Sequence, residues 1–458
     1  MRTENYASAM ARFVTEPPTI DGELVSRAKA HFVETLGVTW AGTNERSVQA
    51  LLNCAAIVSE TSAAARSLVS SKRMSIRDAA ACNSVAGHVH DFDDDEPHVI
   101  VGHPSVAVVG ALSALADYNH LSYERALRAY LLGTEAMLRL GALVNPQHYN
   151  AGWHCTASLG VVGTAAACAS AMRLTGDQTR NALNISVTFA GGMKENFGTD
   201  GKPLQVGAAA ANGLWACELA AAGLQGSDTA ITGDQGFIAM NGGLHRALDL
   251  DTWGRPWAIE NPGFNVKIYP CCSSTHTALD AILELLVETG WDAEQVEGID
   301  VWVGADVPKI LIHDTPRSGL EGKFSMRYCL ARAVVHRAVD LSAFVDSAVA
   351  DEAVAAMMTR TRLHIDANLP RASTGVTHRS RVRVTSKSSG QVERSHCAPR
   401  GSAERPCSEE EMRGKFLAAV AHGLGPDKAL QVWNCAESMS HTDRVSRLLD
   451  AIHAERTA

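Results

Sequence analysis

Small residues dominate two long stretches of the chain, and this feature limits the folds that the chain can adopt. Residues 161–172 read VVGTAAACASAM and residues 206–216 read VGAAAANGLWA. Side chains this small let helix axes approach closely, so both stretches predict helix–helix contacts inside a bundle. With 46% apolar and 20% charged residues, the 458-residue chain has the composition of a globular protein with an ample core and two or three domains.

The pattern of the chain changes after its first half. From about residue 21 to residue 265, nearly every segment has a helical period or an alanine-rich helical composition, and Thr175 with Gln178 predicts a capping box. A further helix is predicted from His276 to Gly290. Residues 299–303 then alternate as in a half-buried strand, and residues 378–396 predict a hairpin around a Ser-Gly turn.

A helical tail is predicted to follow this mixed region. Ser408 and Glu411 form a capping-box pattern at its start. The sequence therefore predicts a mostly α fold in two domains. Residues 1–266 plus 401–458 would form a large all-helical domain, and residues 267–400 an inserted, smaller α+β domain.

Charge and cysteine usage exclude several classes of protein. The formal charge of −9 and the lack of a basic stripe argue against a nucleic-acid partner. Eleven cysteines without framework spacing indicate reduced thiols and a cytoplasmic protein. The N-terminus has no apolar signal region, and nothing approaches eighteen uninterrupted apolar residues, so no membrane association is expected.

The segment from His88 to His98 is dense in ionisable groups. It holds three histidines, four aspartates and a glutamate, and a Gly-His-Pro turn follows at His103. Unpaired buried charge is costly, so such a segment either lines a solvated cleft that handles protons or holds a metal. The run from Asp93 to Glu96 is interpreted as mainly solvated or helix-capping.

The metal interpretation is the weaker of the two. A metallo-hydrolase motif H-x-H-x-D-H would need Asp and His where Phe92 and Asp93 stand. Cys271 and Cys272 are adjacent rather than two apart, which is not zinc-like spacing. We therefore predict no metal ligands, although a metal-dependent hydrolase stays an alternative.

Five separate segments combine glycine or proline turns with polar groups suited to acid–base chemistry. They are residues 91–103, 152–156 (GWHCT), 196–203 (NFGTDGKP), 267–276 (KIYPCCSSTH) and 323–328 (KFSMRY). Each has a structural explanation when taken singly. His154 could be a satisfied core histidine, Lys202 and Lys267 could be surface lysines, and the two adjacent cysteines could be packing residues.

Taken together and in this order, the segments resemble the MmgE/PrpD family, which contains 2-methylcitrate dehydratases, cis-aconitate decarboxylases and iminodisuccinate epimerase. The resemblance covers essentially the whole chain. It rests on HFVETLGVTWAG, HVHDFDDDEP with GHPS, AGWHCTASLGVVGTAAA, NFGTDGKPLQVGAAAANG, KIYPCCSSTHTALDA, KFSMRY and PCSEEEMRGKF. The stretch QHYNAGWHCT is locally similar to iminodisuccinate epimerase.

The resemblance implies a fold and a site. It implies a helical domain with a smaller α+β lid domain, a homodimer, and neither a metal nor an organic cofactor. It assigns catalytic roles to Asp91, His103, His154, His276 and Tyr328. It also assigns substrate binding to Lys202 and Lys267.

The chain departs from the family pattern near this implied site. Gln205 and Ala208 replace the His and Arg common after the Lys-Pro pair, and Asp200-Gly201 replaces Met-Thr. Asp95 stands where many relatives have Thr. A site that recognises carboxylates would respond to a lost His, Arg or hydroxyl, so these changes bear on the substrate rather than on the fold.

The reactions of the family share the formation or quenching of a carbanion next to a carboxylate. This step needs a placed base and positive groups where negative charge develops. We expect His103 to transfer the proton, with Asp91 orienting its imidazole. Lys202 and Lys267 would hold substrate carboxylates, while His154 and His276 would bind carboxylate or protonate a leaving hydroxyl.

Three reactions on a small di- or tricarboxylate fit these groups. The first choice is a cofactor-independent lyase of the 2-methylcitrate dehydratase type. An epimerase or isomerase of the iminodisuccinate type and a cis-aconitate decarboxylase are the alternatives. A non-catalytic dimeric scaffold is a hypothesis of another class, which Gln205 and Ala208 leave open.

Overall fold

The computed structural model describes residues 6–58, 65–243, 252–369 and 379–453. Its helices are α1 (Tyr6–Thr15), α2 (Gly22–Ala41), α3 (Arg46–Val58), α4 (Ile76–His88), α5 (Val106–Asn119), α6 (Tyr123–Val144), α7 (Gln147–Asn150), α8 (Cys155–Ser158), α9 (Gly160–Met172), α10 (Gly176–Ser186), α11 (Gly201–Ala221), α12 (Phe237–Met240), α13 (His276–Thr289), α14 (Gly319–Gly322), α15 (Met326–His336), α16 (Asp346–Val349), α17 (Glu352–Thr359), α18 (Glu409–Leu424), α19 (Pro426–Glu437) and α20 (Ser446–His453). Its strands are β1 (Ala65–Ser67), β2 (Ser70–Met74), β3 (Val296–Val303), β4 (Thr361–Ile365), β5 (Ser380–Ser386) and β6 (Gly390–His396). The predicted mostly α fold with a smaller α+β part is confirmed.

Small residues set the packing of the central helices, as the sequence predicted. Helix α9 packs against α6 and α11, and α11 also packs against α4. A Cβ atom added at Gly133 of α6 would lie 2.6 Å from the Cβ of Ala167 and 2.6 Å from the carbonyl oxygen of Gly163, both on α9. The two helices therefore meet at a distance that only glycine allows at this position.

Replacing Gly133 with valine is expected to destabilise the protein by about 2–3 kcal/mol, because the new atoms must push two helix backbones apart. Gly176 is exposed and has open space around its Cβ position, so Gly176→Val should change the free energy of unfolding by no more than about 0.5 kcal/mol. Urea denaturation of both variants measures the difference. Equal stabilities would contradict the close approach of α6 and α9.

The later part of the chain forms a four-stranded mixed sheet in the order β4-β3-β5-β6. Strand β3 pairs in parallel with β4 and antiparallel with β5, and β5 and β6 form the predicted hairpin. Val382 and Val384 of β5 are buried, and α13 packs on β5 and β6. The predicted start of α13 at His276, its end at Gly290 and both capping boxes are confirmed.

A short hairpin of β1 and β2 interrupts the helices of the first half, which the sequence pattern did not predict. Its turn is held by Asn83 of α4, whose amide oxygen accepts from the backbone of Leu68 at 2.7 Å and from the hydroxyl of Ser67 at 2.9 Å. The amide nitrogen of Asn83 donates to the carbonyl of Gly110 at 3.0 Å. These contacts are long-range, so a local periodicity carries no sign of them.

The C-terminal helices return to the first half of the chain. Helix α18 packs on α2 and α19, and the segment after α19 pairs with the start of α6. We keep the division into residues 1–266 plus 401–458 and residues 267–400 as a proposal. One helical stretch, Cys155–Met172, is apolar and long enough to cross a membrane by composition alone, but 89% of it is buried inside the protein, as in a core helix.

Candidate active site

A cleft of about 510 Å³ lies where the loop after α4, the start of α11 and the segment before α13 come together. Charged, hydroxyl and aromatic side chains share its walls. The lining residues are Asp91, Asp95, Pro97, Val101, Gly102, His103, Tyr149, His154, Thr156, Phe197, Lys202, Lys267, Cys272, Ser273, Ser274, Ile310 and Phe324. Five of the seven predicted site residues line this cleft: Asp91, His103, His154, Lys202 and Lys267.

Asp91 is the centre of a buried ionic triad. One of its carboxylate oxygens accepts from Lys202 at the start of α11, and the other accepts from Lys267 at 2.8 Å. Burial alone would raise the pKa of Asp91, but Lys202 and Lys267 hold it well below its usual range. Asp91 has a φ of 52°, a left-handed conformation that Asp and Asn adopt more readily than other side chains. The carboxylate thus fixes two ammonium groups at the cleft.

Backbone pairing brings Lys267 to the acidic loop. The N–H of Asp95 donates to the carbonyl of Asn265 at 3.0 Å, and the N–H of Asn265 donates back to Asp95 at 2.7 Å. Burial acts to lower the pKa of Lys267, but the negative charges of Asp91 and Asp95 outweigh it and raise that pKa. Lys267 therefore stays protonated, and its charge is shared with two carboxylates.

Asp93, rather than Asp91, holds the imidazole of His103. The distance from His103 Nδ1 to Asp93 Oδ2 is 3.2 Å, whereas Nε2 lies 3.6 Å from Asp91 Oδ1. Asp93 also accepts from His88 Nδ1 at 2.9 Å. Burial acts to raise the pKa of Asp93, but His103 and His88 hold it well below its usual range. The expectation that Asp91 orients His103 is therefore corrected, because the Asp91 oxygen lies 3.6 Å from Nε2, beyond hydrogen-bonding distance, whereas Asp93 lies closer to the ring.

The acidic run from Asp93 to Glu96 is buried, which corrects its interpretation as a mainly solvated segment. Asp94 binds His31 Nδ1 at 2.9 Å and the hydroxyl of Ser105 at 2.6 Å. Glu96 accepts from the backbone N–H groups of residues 98–100 and closes the loop that leads to His103. The run therefore builds the loop that presents Asp91 and His103 at the cleft.

His154 precedes α8 and is held from two sides. Its backbone N–H donates to the carbonyl of Gly192 at 3.1 Å, and its Nδ1 lies 2.8 Å from Gln205 Oε1. Beside it, the rings of Phe197 and Phe324 stack with centroids 5.4 Å apart, and the ammonium of Lys202 lies over both rings. These rings form an apolar part of the cleft wall.

His276 and Tyr328 do not line the cleft. His276 Nε2 donates to the carbonyl of Cys271 at 3.0 Å, and the hydroxyl of Tyr328 donates to the carbonyl of Ala343. Both side chains are buried and bound within the α+β part of the chain. Their predicted catalytic roles are not supported by this placement, because each polar hydrogen already has a backbone acceptor. Phe324, four residues before Tyr328, reaches the cleft instead.

Two clusters bring potential metal ligands together in the described part of the chain. They are His88, Asp93 and His103 at the cleft, and Glu45, His90 and His422 near the start of α3; within each, the ligand atoms lie within 4.8 Å of one another. At the cleft, the Nδ1 atoms of both histidines face Asp93 and would have to lose these hydrogen bonds to bind a metal. The absence of metal ligands stays a prediction.

Sequence comparison identifies the family of the chain. The MmgE/PrpD N-terminal domain model matches residues 8–247, and the MmgE/PrpD C-terminal domain model matches residues 269–440. The chain belongs to the MmgE/PrpD family. The C-terminal domain model extends through α18 and α19, beyond the boundary at residue 400 predicted here.

Curated MmgE/PrpD relatives are cis-aconitate decarboxylases. The enzyme of Mus musculus is 26% identical over 97% of this chain and 92% of its own length, and that of Homo sapiens is 26% identical over 95% and 90%. The enzyme of Aspergillus terreus is 28% identical over 58% of this chain and 56% of its own length. The two mammalian enzymes thus match nearly the whole chain at low identity.

The MmgE/PrpD pattern identified the lysines and His103 but missed their supporting residues. Asp93 and His88 lay in the segment that the sequence marked, yet the pattern gave no reason to prefer either as a partner of His103. Lys323 was also missed: its ammonium donates to the carbonyls of His90 at 3.0 Å and Pro270 at 2.9 Å. Burial lowers the pKa of Lys323 to about 8. This lysine ties the residue before Asp91 to the segment that carries Lys267.

Proposed function

We propose that the protein is a lyase that moves a proton at the carbon next to a carboxylate of a small di- or tricarboxylate, using its own side chains. The observation that supports this most directly is the position of His103. It lies between Asp93 and the Asp91–lysine triad, and it lines the cleft. A base and two cations in one cleft are what such a proton transfer requires.

His103 is suited to act as the base. If its Nδ1 carries the hydrogen that faces Asp93, then Nε2 presents a lone pair. Asp93 would stabilise the imidazolium that forms when Nε2 takes a proton, as a buried carboxylate does in a catalytic triad. Lys202 and Lys267 would attract the carboxylate whose adjacent carbon becomes a carbanion.

We place dehydration of a hydroxy-polycarboxylate of the 2-methylcitrate type first among the reactions. Removal of the proton by His103 would be followed by loss of the hydroxyl, which needs a proton from a second group. Decarboxylation of cis-aconitate is the second candidate, and the names of the curated relatives favour it. That reaction would use His103 only to return a proton to the carbanion that carbon dioxide leaves.

Proton NMR in heavy water distinguishes these reactions. Purified protein would be mixed separately with 2-methylcitrate, citrate, cis-aconitate and iminodisuccinate. A new alkene signal from either hydroxy acid is the expected result, whereas itaconate would indicate decarboxylation. Deuterium at a stereocentre without net conversion would indicate epimerisation. All three outcomes support proton transfer next to a carboxylate.

The same experiment can contradict the proposal. A folded protein that neither converts nor exchanges any member of the panel would overturn it. A repeat with added zinc or magnesium, and another with a chelator, separates the metal-dependent hydrolase, because only that activity would follow the metal.

A further inference from the structure

Gln205 determines which ring nitrogen of His154 carries the hydrogen. The amide nitrogen of Gln205 lies 3.3 Å from the carbonyl oxygen of Met193, which can only accept a hydrogen bond. The amide oxygen of Gln205 must therefore face His154, where it lies 2.8 Å from Nδ1. Because an amide oxygen cannot donate, Nδ1 of His154 carries the hydrogen.

The other ring nitrogen of His154 is left as an acceptor. Nε2 is buried and has no hydrogen-bond partner within the described residues. Burial, followed by the charges of His88 and Lys202, lowers the pKa of His154 well below its usual range, so the ring is neutral. A neutral imidazole with a hydrogen on Nδ1 has a lone pair on Nε2. This argues for acceptance at Nε2, in place of the expected donation by His154 to a carboxylate or a leaving hydroxyl.

A second acceptor lines the same cleft. Asp95 is buried, lines the cleft beside Lys267, and bears the negative charge that helps to raise the pKa of Lys267. The two oxygens of the Asp91 carboxylate already accept from the two lysines. A purely carboxylate ligand would leave Nε2 of His154 unpaired and would face Asp95 without a donor, and both cost binding energy.

We propose that the substrate is a small polycarboxylate that also carries a hydrogen-bond donor, a hydroxyl or an amine, which His154 Nε2 accepts, and that Gln205 is the positioning residue that selects it. This inference rests on the proposed function and narrows its substrate class. Lys202 and Lys267 hold the carboxylates, and His154 recognises the donor. A polycarboxylate without a donor, such as cis-aconitate, is disfavoured.

Pairs of ligands that differ by one donor test this selectivity. Citrate and tricarballylate differ by a hydroxyl, while malate and aspartate add a hydroxyl or an amine to succinate. In isothermal titration calorimetry, we expect the full-length protein to bind citrate at least about tenfold more tightly than tricarballylate, and malate or aspartate at least about tenfold more tightly than succinate. If malate shows the larger increase in affinity over succinate, the donor is a hydroxyl. If aspartate shows the larger increase, the donor is an amine.

Two variants at one position give the matched control. Gln205→Met removes the acceptor that fixes Nδ1, so the preference for the donor-bearing ligand should fall to about two- to threefold. Gln205→Glu keeps an acceptor there and should keep the preference at a pH above the pKa of the ring, where Nε2 retains its lone pair. If Gln205 had only a structural role, its replacement would weaken the binding of both ligands of a pair equally. The ratio of the two affinities would then stay unchanged. Equal binding of both members by the unaltered protein, or no binding of any of the five compounds, overturns the inference.

A direct reading of the ring does not depend on these variants folding. Nitrogen NMR of the protein labelled with ¹⁵N-histidine, compared with His154→Asn, should show a protonated Nδ1 and a bare Nε2. A protonated Nε2 overturns the inference. Conversion of cis-aconitate to itaconate, with no preference in the ligand pairs, would also overturn it while leaving proton transfer next to a carboxylate intact.

Discussion

Replacing Asp91 with asparagine is expected to destabilise the protein by about 3–5 kcal/mol and to lower turnover by about a hundredfold or more. The carboxylate compensates two buried ammonium groups, Lys202 and Lys267. Asparagine has nearly the same shape and tolerates the left-handed backbone at φ 52°. The loss therefore comes from the missing charge rather than from backbone strain. Two uncompensated buried cations would also move away from the positions that substrate carboxylates need.

The pH dependence of this loss has a definite sign. In the unaltered protein the pKa of Lys267 is raised. Its ion pair therefore stabilises the folded state at pH values below the pKa of an unfolded lysine, which is near 10.5. This stabilisation is lost as the pH rises above that value. Without Asp91, burial lowers the lysine pKa in the folded state. The unfolded state then binds more protons, and the stability of the variant rises with pH. The difference in free energy of unfolding between the unaltered protein and Asp91→Asn should therefore become smaller from pH 7 to pH 9.

Urea denaturation at several pH values, with turnover measured in parallel, checks both expectations. Asp200→Asn is the matched control, because Asp200 pairs with Arg46 at the surface and such pairs contribute at most about 1 kcal/mol. A loss in Asp91→Asn no larger than in the control would show that the lysines are solvated rather than buried and paired.

Local sequence signals predicted the helices and the hairpin well. Thr175 with Gln178 and Ser408 with Glu411 are capping boxes in the structure, since a helix start depends on a few adjacent residues. The alanine- and glycine-rich stretches predicted close helix packing for the same reason. The β1–β2 hairpin escaped prediction, because its turn depends on Asn83, which lies on a helix outside the hairpin.

The same contrast between local signals and long-range contacts applies to the site. The family pattern predicted Asp91, Lys202 and Lys267 as site residues, and the structure brings them into direct contact. It did not predict which carboxylate faces which histidine, because five acidic residues stand within six positions of the chain. That choice is made by backbone geometry: the left-handed turn at Asp91 directs it toward the lysines and leaves Asp93 to His88 and His103.

Buried charge explains why the acidic run was interpreted wrongly. A sequence gives the number of charges but not their partners, and an unpaired buried carboxylate is costly. Here each partner comes from a distant or non-adjacent residue: His31 for Asp94, and backbone N–H groups of a tight loop for Glu96. Burial of the run was therefore unpredictable from its composition.

Replacing His103 with glutamine is expected to lower turnover by about 10²- to 10⁴-fold while changing the free energy of unfolding by no more than about 1 kcal/mol. The glutamine amide can still donate to Asp93, so the loop from Asp91 to His103 keeps its anchor. It cannot take a proton at the position of Nε2, so both conversion of substrate and its exchange of hydrogen for deuterium should be lost together.

His98→Gln provides the control for this variant, because His98 belongs to the same loop but is exposed and does not line the cleft. Steady-state turnover and deuterium incorporation by NMR should be nearly unchanged in it. Turnover of Asp93→Asn should lie between the values for His103→Gln and His98→Gln. This variant keeps the imidazole but lacks the charge that stabilises the imidazolium. If His103→Gln retained full exchange, the base would have to be sought elsewhere. His154, whose Nε2 is also an acceptor, would be the next histidine to replace.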